Sequence, residues 1–255
     1  MNILNAEMID SDYISIKHSD KSIVNELNNI ISDYFNKDIN YYINIDIEEY
    51  REIVSSAQEH INNNNYGHKI IKNIYNDIVH IINDDEILIQ SNVYLRSARP
   101  SLNQAHENIS WHRESFYGPN MEKAFNVWTP IKGVSDLNTI NFIPGSQFID
   151  AKDITFEHIE DSKTKQYSKG HQIGFLYKPK KITGGINFDT KKPMLVDKYY
   201  SSIFDAELIH GAGDNQTQEI RFSIDLRIIP KKFYKRDENK KSHFASGKEY
   251  FVELL

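Results

Sequence analysis

The chain has 255 residues, 39% hydrophobic, 12% aromatic and 26% charged, with a net charge of −6 and no cysteine. Aromatic and apolar residues recurring throughout exclude a disordered chain, and the missing cysteines exclude disulfide frameworks, thiolate zinc sites and cysteine nucleophiles. The acidic balance argues against bulk binding to nucleic acid, and apolar runs such as Ile87-Leu88-Ile89 fall far short of the ~20 residues of a membrane span.

In chain order, Met1 to Asp10 carries Glu7 and Asp10 and no basic run, so no signal peptide is expected and a cytoplasmic protein is. Residues 1–85 hold 15 acidic and 6 basic residues. Within them, Ser22 to Phe35 places Ile23, Leu27, Ile30, Ile31 and Tyr34 at helical spacing. Asp46 to Ile61 does the same, with Asp46 and Glu49 placed for a capping box. Lys69 to Ile82 gives a third apolar stripe. Three amphipathic helices are expected, with breaks at Asn62 to Asn65 and Asp84-Asp85. His18, His60, His68 and His80 fall in this third and read as surface or core-edge histidines.

From about residue 87 the period shortens. Ile87 to Ala98, Ala124 to Ile131, Asn138 to Pro144, Gln172 to Lys178, Gly185 to Phe188, Ser201 to His210 and Glu219 to Ile229 read as strands. Gly118-Pro119, Pro144-Gly145, Gly184-Gly185 and Gly211 with Gly213 punctuate them. Many short strands at this spacing suggest a sandwich or barrel. Residues 150–171 are polar, without a clear strand, and read as an insertion or lid. The tail after Pro230 is basic to Lys241 and apolar from Tyr250 to Leu255, an end suited to docking on the body. One domain is expected: a helical part (1–86), a β core (87–230) and a tail (231–255).

Two further segments carry chemistry. In Trp111-His112-Arg113-Glu114, a strand would put His112 and Glu114 on one side. His210 closes a second apolar strand before a glycine-rich turn. Two histidines and one carboxylate can form a facial triad with three open positions, a set that suits non-heme Fe(II). In Glu219 to Ile229, Phe222, Ile224 and Leu226 alternate with Arg221, Ser223, Asp225 and Arg227. Arg221 follows His210 by eleven residues, which brings a guanidinium, the bidentate binder of carboxylates, back toward the metal at co-substrate length.

At these residues the chain resembles the phytanoyl-CoA dioxygenase-like branch of the Fe(II)/2-oxoglutarate oxygenases. The matching pieces are Trp111-His112-Arg113-Glu114, Val127-Trp128-Thr129-Pro130-Ile131, Ile143-Pro144-Gly145-Ser146-Gln147, and His210-Gly211-Ala212-Gly213 with Arg221. They stand in the family's order and cover roughly residues 88–230. The resemblance implies a mainly β fold, a double-stranded β-helix (jelly roll, cupin-like) core backed by the N-terminal helices. It implies His112, Glu114 and His210 as ligands of Fe(II), and Arg221 as the group that binds the distal carboxylate of 2-oxoglutarate. Trp128 matches a tryptophan lining that pocket, with a core aromatic as the other reading. Tyr94 is a candidate second donor to the same carboxylate, and Asn126, two residues before Trp128, a polar contact or a satisfied amide. Two positions depart from the pattern: Glu114 stands where aspartate is commoner, and Gln147 where histidine is. A carboxylate at position 114 speaks against the halogenating variant.

The activity implied is a 2-oxoglutarate-dependent dioxygenase that uses O2 to hydroxylate a small-molecule metabolite, with desaturation or ring closure open to the same chemistry. Arg96, Arg99, Arg113 and Arg227 would suggest an anionic substrate if they face the cavity; ion pairing with Asp225 or Glu107 is the alternative. Residues 99–110 and 150–171 are the expected substrate-covering loops. Two rival readings stand: a metal-dependent cupin or sugar epimerase that does not use 2-oxoglutarate, and a binding module without catalysis.

Overall fold

A computed structural model describes residues 11–100, 111–158, 180–236 and 249–255 of the chain. The helical part forms as four helices: α1 (Ser22–Tyr34), α2 (Ile47–Asn63), α3 (Tyr66–Asn73) and α4 (Tyr75–Ile82). Asp46 caps α2 by accepting from the Glu48 and Glu49 amides, so two orphan N–H groups of the first turn are satisfied. The single helix expected over Lys69 to Ile82 is broken at Ile74, whose φ of −120° leaves the helical range. Both halves keep their apolar faces inward, because Ile70, Ile71, Ile74, Ile78 and Ile82 are all buried. Asn65 and Asn83 take the left-handed conformation at the breaks, where an asparagine is tolerated.

The strands build a double-stranded β-helix. Its large sheet orders β1 (Ile14–Lys17), β9 (Tyr200–Asp205), β4 (Phe125–Lys132) and β11 (Arg221–Pro230). On its far side β11 pairs with β3 (Tyr94–Ala98) and then β2 (Ile87–Gln90), and β12 (Phe251–Glu253) adds the outer edge against β2. The small sheet orders β10 (His210–Ala212), β5 (Ile140–Phe142) and β8 (Lys192–Pro193). His112 extends it by bridging to His210. β6 (Thr155–His158) and β7 (Lys180–Gly184) pair antiparallel as a separate two-stranded sheet, whose Ile182 packs in one cluster with Ile143 and Ile209.

Alternation along β11 sets the layers. Phe222, Ile224, Leu226 and Ile228 enter one core with Val24, Leu27, Ile31, Tyr50 and Ile70 of the helices. The helices therefore back the large sheet, as the apolar stripes require. Arg221, Ser223, Asp225 and Arg227 point the other way, toward the small sheet. A second core, containing Trp128, Phe142, Met194, Phe204 and Leu208, fills the space between the sheets.

Several expectations need correction. Gly185 to Phe188 is a turn, with Gly185 at φ 81°, and the strand lies just before it as β7. Ser201 to His210 is two strands joined by a turn at residues 206–209. Ile87 to Ala98 is likewise two strands, β2 and β3. His18 is fully buried, bonded through Nε2 to Ser201 Oγ at 2.8 Å, because β1 carries it under the sheet. The start of the presumed insertion pairs as β6, while Gln172 to Lys178 lies outside the described residues. The apolar tail docks as an edge strand, with Ser91 Oγ and N both donating to carbonyls of residues 249–250.

Candidate metal centre

Backbone pairing brings the two histidines together. His112 N donates to His210 O and His210 N to His112 O, both at 3.0 Å. The strand expected through His112 and Glu114 does not form: His112 makes a single isolated bridge, and Glu114 opens a one-turn 3-10 helix (Glu114–Phe116). Its amide donates to Ala206 O at 2.8 Å, which ties that turn to the segment leading into β10. Glu114 Oε1 then stands 3.6 Å from His112 Nε2 and 3.6 Å from His210 Nε2. All three residues are buried, and one ligand atom from each falls within 4.8 Å of the others.

Arg113, between the two ligands in sequence, points away from them and acts as a strut. Its guanidinium donates to Ser146 O, to Ile149 O and to Glu207 Oε2. Ser146 Oγ in turn accepts from Ile209 N at 2.7 Å. The Pro144-Gly145-Ser146 turn, with Gly145 left-handed at φ 71°, thus braces both His112 and His210.

The donor set fits a divalent cation. His210 Nδ1 lies 2.8 Å from Leu208 O, so that nitrogen carries the proton and Nε2 presents a lone pair to Glu114 and His112. Burial and His112 push the His210 imidazole down to about 4, against the pull of Glu114, so it is neutral at pH 7. Burial pushes the Glu114 carboxyl up, but Arg227, His112 and His210 outweigh it and hold the group well below the ordinary carboxylate value. Two neutral-capable imidazoles and one anionic carboxylate, with nitrogen and oxygen donors only, match a non-heme iron triad.

Arg221 lies on the same face of β11. It is buried and donates from Nη1 to Ser223 Oγ at 2.9 Å, while its Nε has no acceptor among the described residues. No carboxylate is ion-paired to it there. Burial and the neighbouring Arg96 lower the guanidinium to about 10. Trp128 Nε1 also donates to Ser223 Oγ, at 3.0 Å. Ser223 Oγ accepts from two groups that can only donate, so its own proton is left to donate. No described residue accepts it. A buried guanidinium and a directed hydroxyl thus lie side by side, next to a β-bulge between Phe222 and Ser223.

Asn126 is buried, and neither of its amide atoms has a partner among the described residues. By register it sits opposite Arg227 and Phe204, and Phe204 packs its ring edge-on to His210 at 5.0 Å. Tyr94 lies opposite Asp225, its ring faced by Arg96 at 4.6 Å and Arg227 at 5.3 Å. The hydroxyls of Tyr94 and Tyr250 are hydrogen-bonded, so the docked tail reaches this cluster. Of the four arginines weighed for an anionic substrate, Arg96 and Arg227 pair with Asp225 and Arg113 with Glu207. Arg99 donates to the Ile43 and Ile45 carbonyls. Glu107 lies outside the described residues. The sequence assigns no role to Ser223 and no contact of Arg227 with Glu114; the alternation in β11 puts both residues on the polar face, but only the fold gives the direction of that face.

A family model described as phytanoyl-CoA dioxygenase matches residues 20–223. The non-heme monooxygenase ThoJ in its apo form is similar in structure, at 14% identity and a TM-score of 0.51, covering 88% of this chain and 76% of its own. The epimerase SnoN, solved with Fe3+, alpha ketoglutarate and nogalamycin RO, gives 11% identity and a TM-score of 0.51, covering 97% of this chain and 91% of its own. At these identities the likeness establishes the fold. No curated protein sequence matches the chain. Among the described residues, no helix is long and apolar enough to cross a membrane.

Proposed function

The chain belongs to the phytanoyl-CoA dioxygenase family, and from that premise we propose that it is an Fe(II)- and 2-oxoglutarate-dependent dioxygenase hydroxylating a small-molecule metabolite. The observation that carries this reading is the buried His112, Glu114 and His210 set, together with Arg221 on the same face of β11 as Arg227, which holds Glu114; among the described residues Arg221 Nε has no acceptor and no carboxylate is ion-paired to Arg221. The fold neighbour SnoN, solved with Fe3+ and alpha ketoglutarate, holds the two groups proposed here.

His112, Glu114 and His210 would hold the iron, which with 2-oxoglutarate and O2 supplies an oxidant for a substrate C–H bond, releasing succinate and CO2. The chain's own residues supply binding and geometry. Arg221 meets the distal carboxylate of 2-oxoglutarate with a guanidinium already stripped of water. Ser223 donates its free proton to the same carboxylate, and Trp128 fixes the hydroxyl's orientation. The hydrogen bond from His210 Nδ1 to Leu208 O keeps its Nε2 deprotonated and aimed. Asn126, whose amide atoms have no partner among the described residues, and Tyr94 complete the proposed set of co-substrate contacts. None of these groups needs to act as a general base.

The test is succinate release from 2-oxoglutarate by the Fe(II)-loaded protein in air, followed by a metabolite screen for products heavier by one oxygen atom. Succinate formation that requires Fe(II) and is lost in His112→Ala and His210→Ala supports the reading. Fe(II)-dependent turnover of a sugar without any need for 2-oxoglutarate would support the cupin alternative instead.

A further inference from the structure

Glu114 occupies the ligand position with one more rotatable bond than aspartate has, so a further group must fix where its carboxylate lies. Arg227 is placed to do so. Its Nη2 donates to Glu114 Oε1 at 2.8 Å, across 113 residues of chain. That oxygen is also the one 3.6 Å from both imidazole nitrogens. Arg227 is itself held through both terminal nitrogens and its backbone amide. Its Nη1 lies 3.2 Å from Asp225 Oδ1 and 3.5 Å from Gln90 Oε1, and its amide donates to Gln90 Oε1 at 3.1 Å. Its guanidinium rests over the Tyr94 ring, and the side chain is buried in the longest strand of the large sheet.

We propose that Arg227 is the positioning residue of the metal centre, clamping the Glu114 carboxylate so that one oxygen is presented to the space shared with His112 and His210. The inference rests on the metal-site reading above and adds to it a residue outside the ligand set. Asp225 serves the clamp from behind, since it shares its two oxygens between Arg227 and Arg96. Partners of ligating groups fix ligand orientation, and their loss commonly weakens metal binding by about 10- to 100-fold.

The experiment is a double-mutant cycle on the full chain, titrated anaerobically with Co(II) and read from its visible ligand-field bands. The four proteins are the wild type, Arg227→Lys, Glu114→Asp and the double variant. Lysine keeps the positive charge beside the site and loses the planar fork, so the change isolates orientation from charge. The expected result is roughly 10-fold or weaker Co(II) binding and altered bands in Arg227→Lys. In the Glu114→Asp background, where the shorter carboxylate cannot reach both the ion and Arg227, the same change should cost less than about threefold. Equal losses in both backgrounds would mean that Arg227 only supports the fold, and would overturn the proposal. Wild-type affinity in Arg227→Lys would overturn it while leaving the metal site standing. A wild-type chain that binds no Co(II) would overturn both. Thermal unfolding of each metal-free protein reports folding, and if Arg227→Lys does not fold, Arg227→Gln is read in the same cycle.

Discussion

Replacing Arg221 with methionine should stabilise the protein while destroying its co-substrate site. Burial and Arg96 take the guanidinium from its ordinary 12.5 to about 10. At about 1.4 kcal/mol per pK unit, keeping it charged in the fold costs roughly 3 kcal/mol. Methionine removes that charge and fills similar length with an apolar chain. The lost hydrogen bond to Ser223 gives back about 1 kcal/mol, since Trp128 still donates to the same oxygen. A net gain of about 2 kcal/mol corresponds to a melting temperature higher by roughly 4–8 °C in a chain of this size. The assay is thermal unfolding with and without 2-oxoglutarate, in the presence of redox-inert Mn(II). The wild type should gain stability from 2-oxoglutarate, because a ligand bound only to the folded state stabilises it. Arg221→Met should start higher and gain nothing. A variant that melts below the wild type without 2-oxoglutarate would refute the reasoning, since Arg221 would then be paired in the resting fold.

Three other outcomes follow from the same geometry. Ser223→Ala removes a hydroxyl whose proton has no acceptor among the described residues, so 2-oxoglutarate affinity measured by calorimetry should fall about tenfold with Mn(II) affinity unchanged; a parallel loss of both would contradict it. Glu114→Gln removes the anionic ligand and leaves Asp225 as the carboxylate paired with Arg227 among the described residues, so metal binding should vanish and the fold lose about 3 kcal/mol in urea denaturation; unchanged stability would show the Arg227 contact to be idle. Burial lowers the His18 imidazole from 6.5 to about 4, so the fold keeps it neutral where the unfolded chain binds a proton. The stability this confers is complete above pH 6.5 and is lost as the pH falls toward 4, His210 contributing in the same sense. His18→Gln should flatten that acid limb, and urea midpoints that run parallel in the two proteins from pH 7 to 4 would rule the account out.

Local pattern made much of this molecule legible. The apolar stripes of α1 and α2 sit where their spacing puts them, and the alternation in β11 divides core from site residue by residue. His112, Glu114 and His210 were found as residue types in an order, and the fold brings them together. What pattern missed depends on partners far away in sequence. Ile74 interrupts a good apolar stripe without a glycine or proline to announce it. β1 and β12 are only four and three residues long and exist because β9 and β2 offer edges. Glu114 reaches the histidines from a 3-10 turn anchored on Ala206, a contact invisible in a His-Arg-Glu string. Arg227 read as one of four arginines of unknown direction, and only the fold shows it against Glu114.

The most direct measurement is an anaerobic titration of the metal-free chain with Fe(II) and then 2-oxoglutarate, followed in the visible for the charge-transfer band of the chelated complex. The account predicts a band that requires both additions and weakens in Arg221→Ala. Fe(II) binding without any band on addition of 2-oxoglutarate would contradict it.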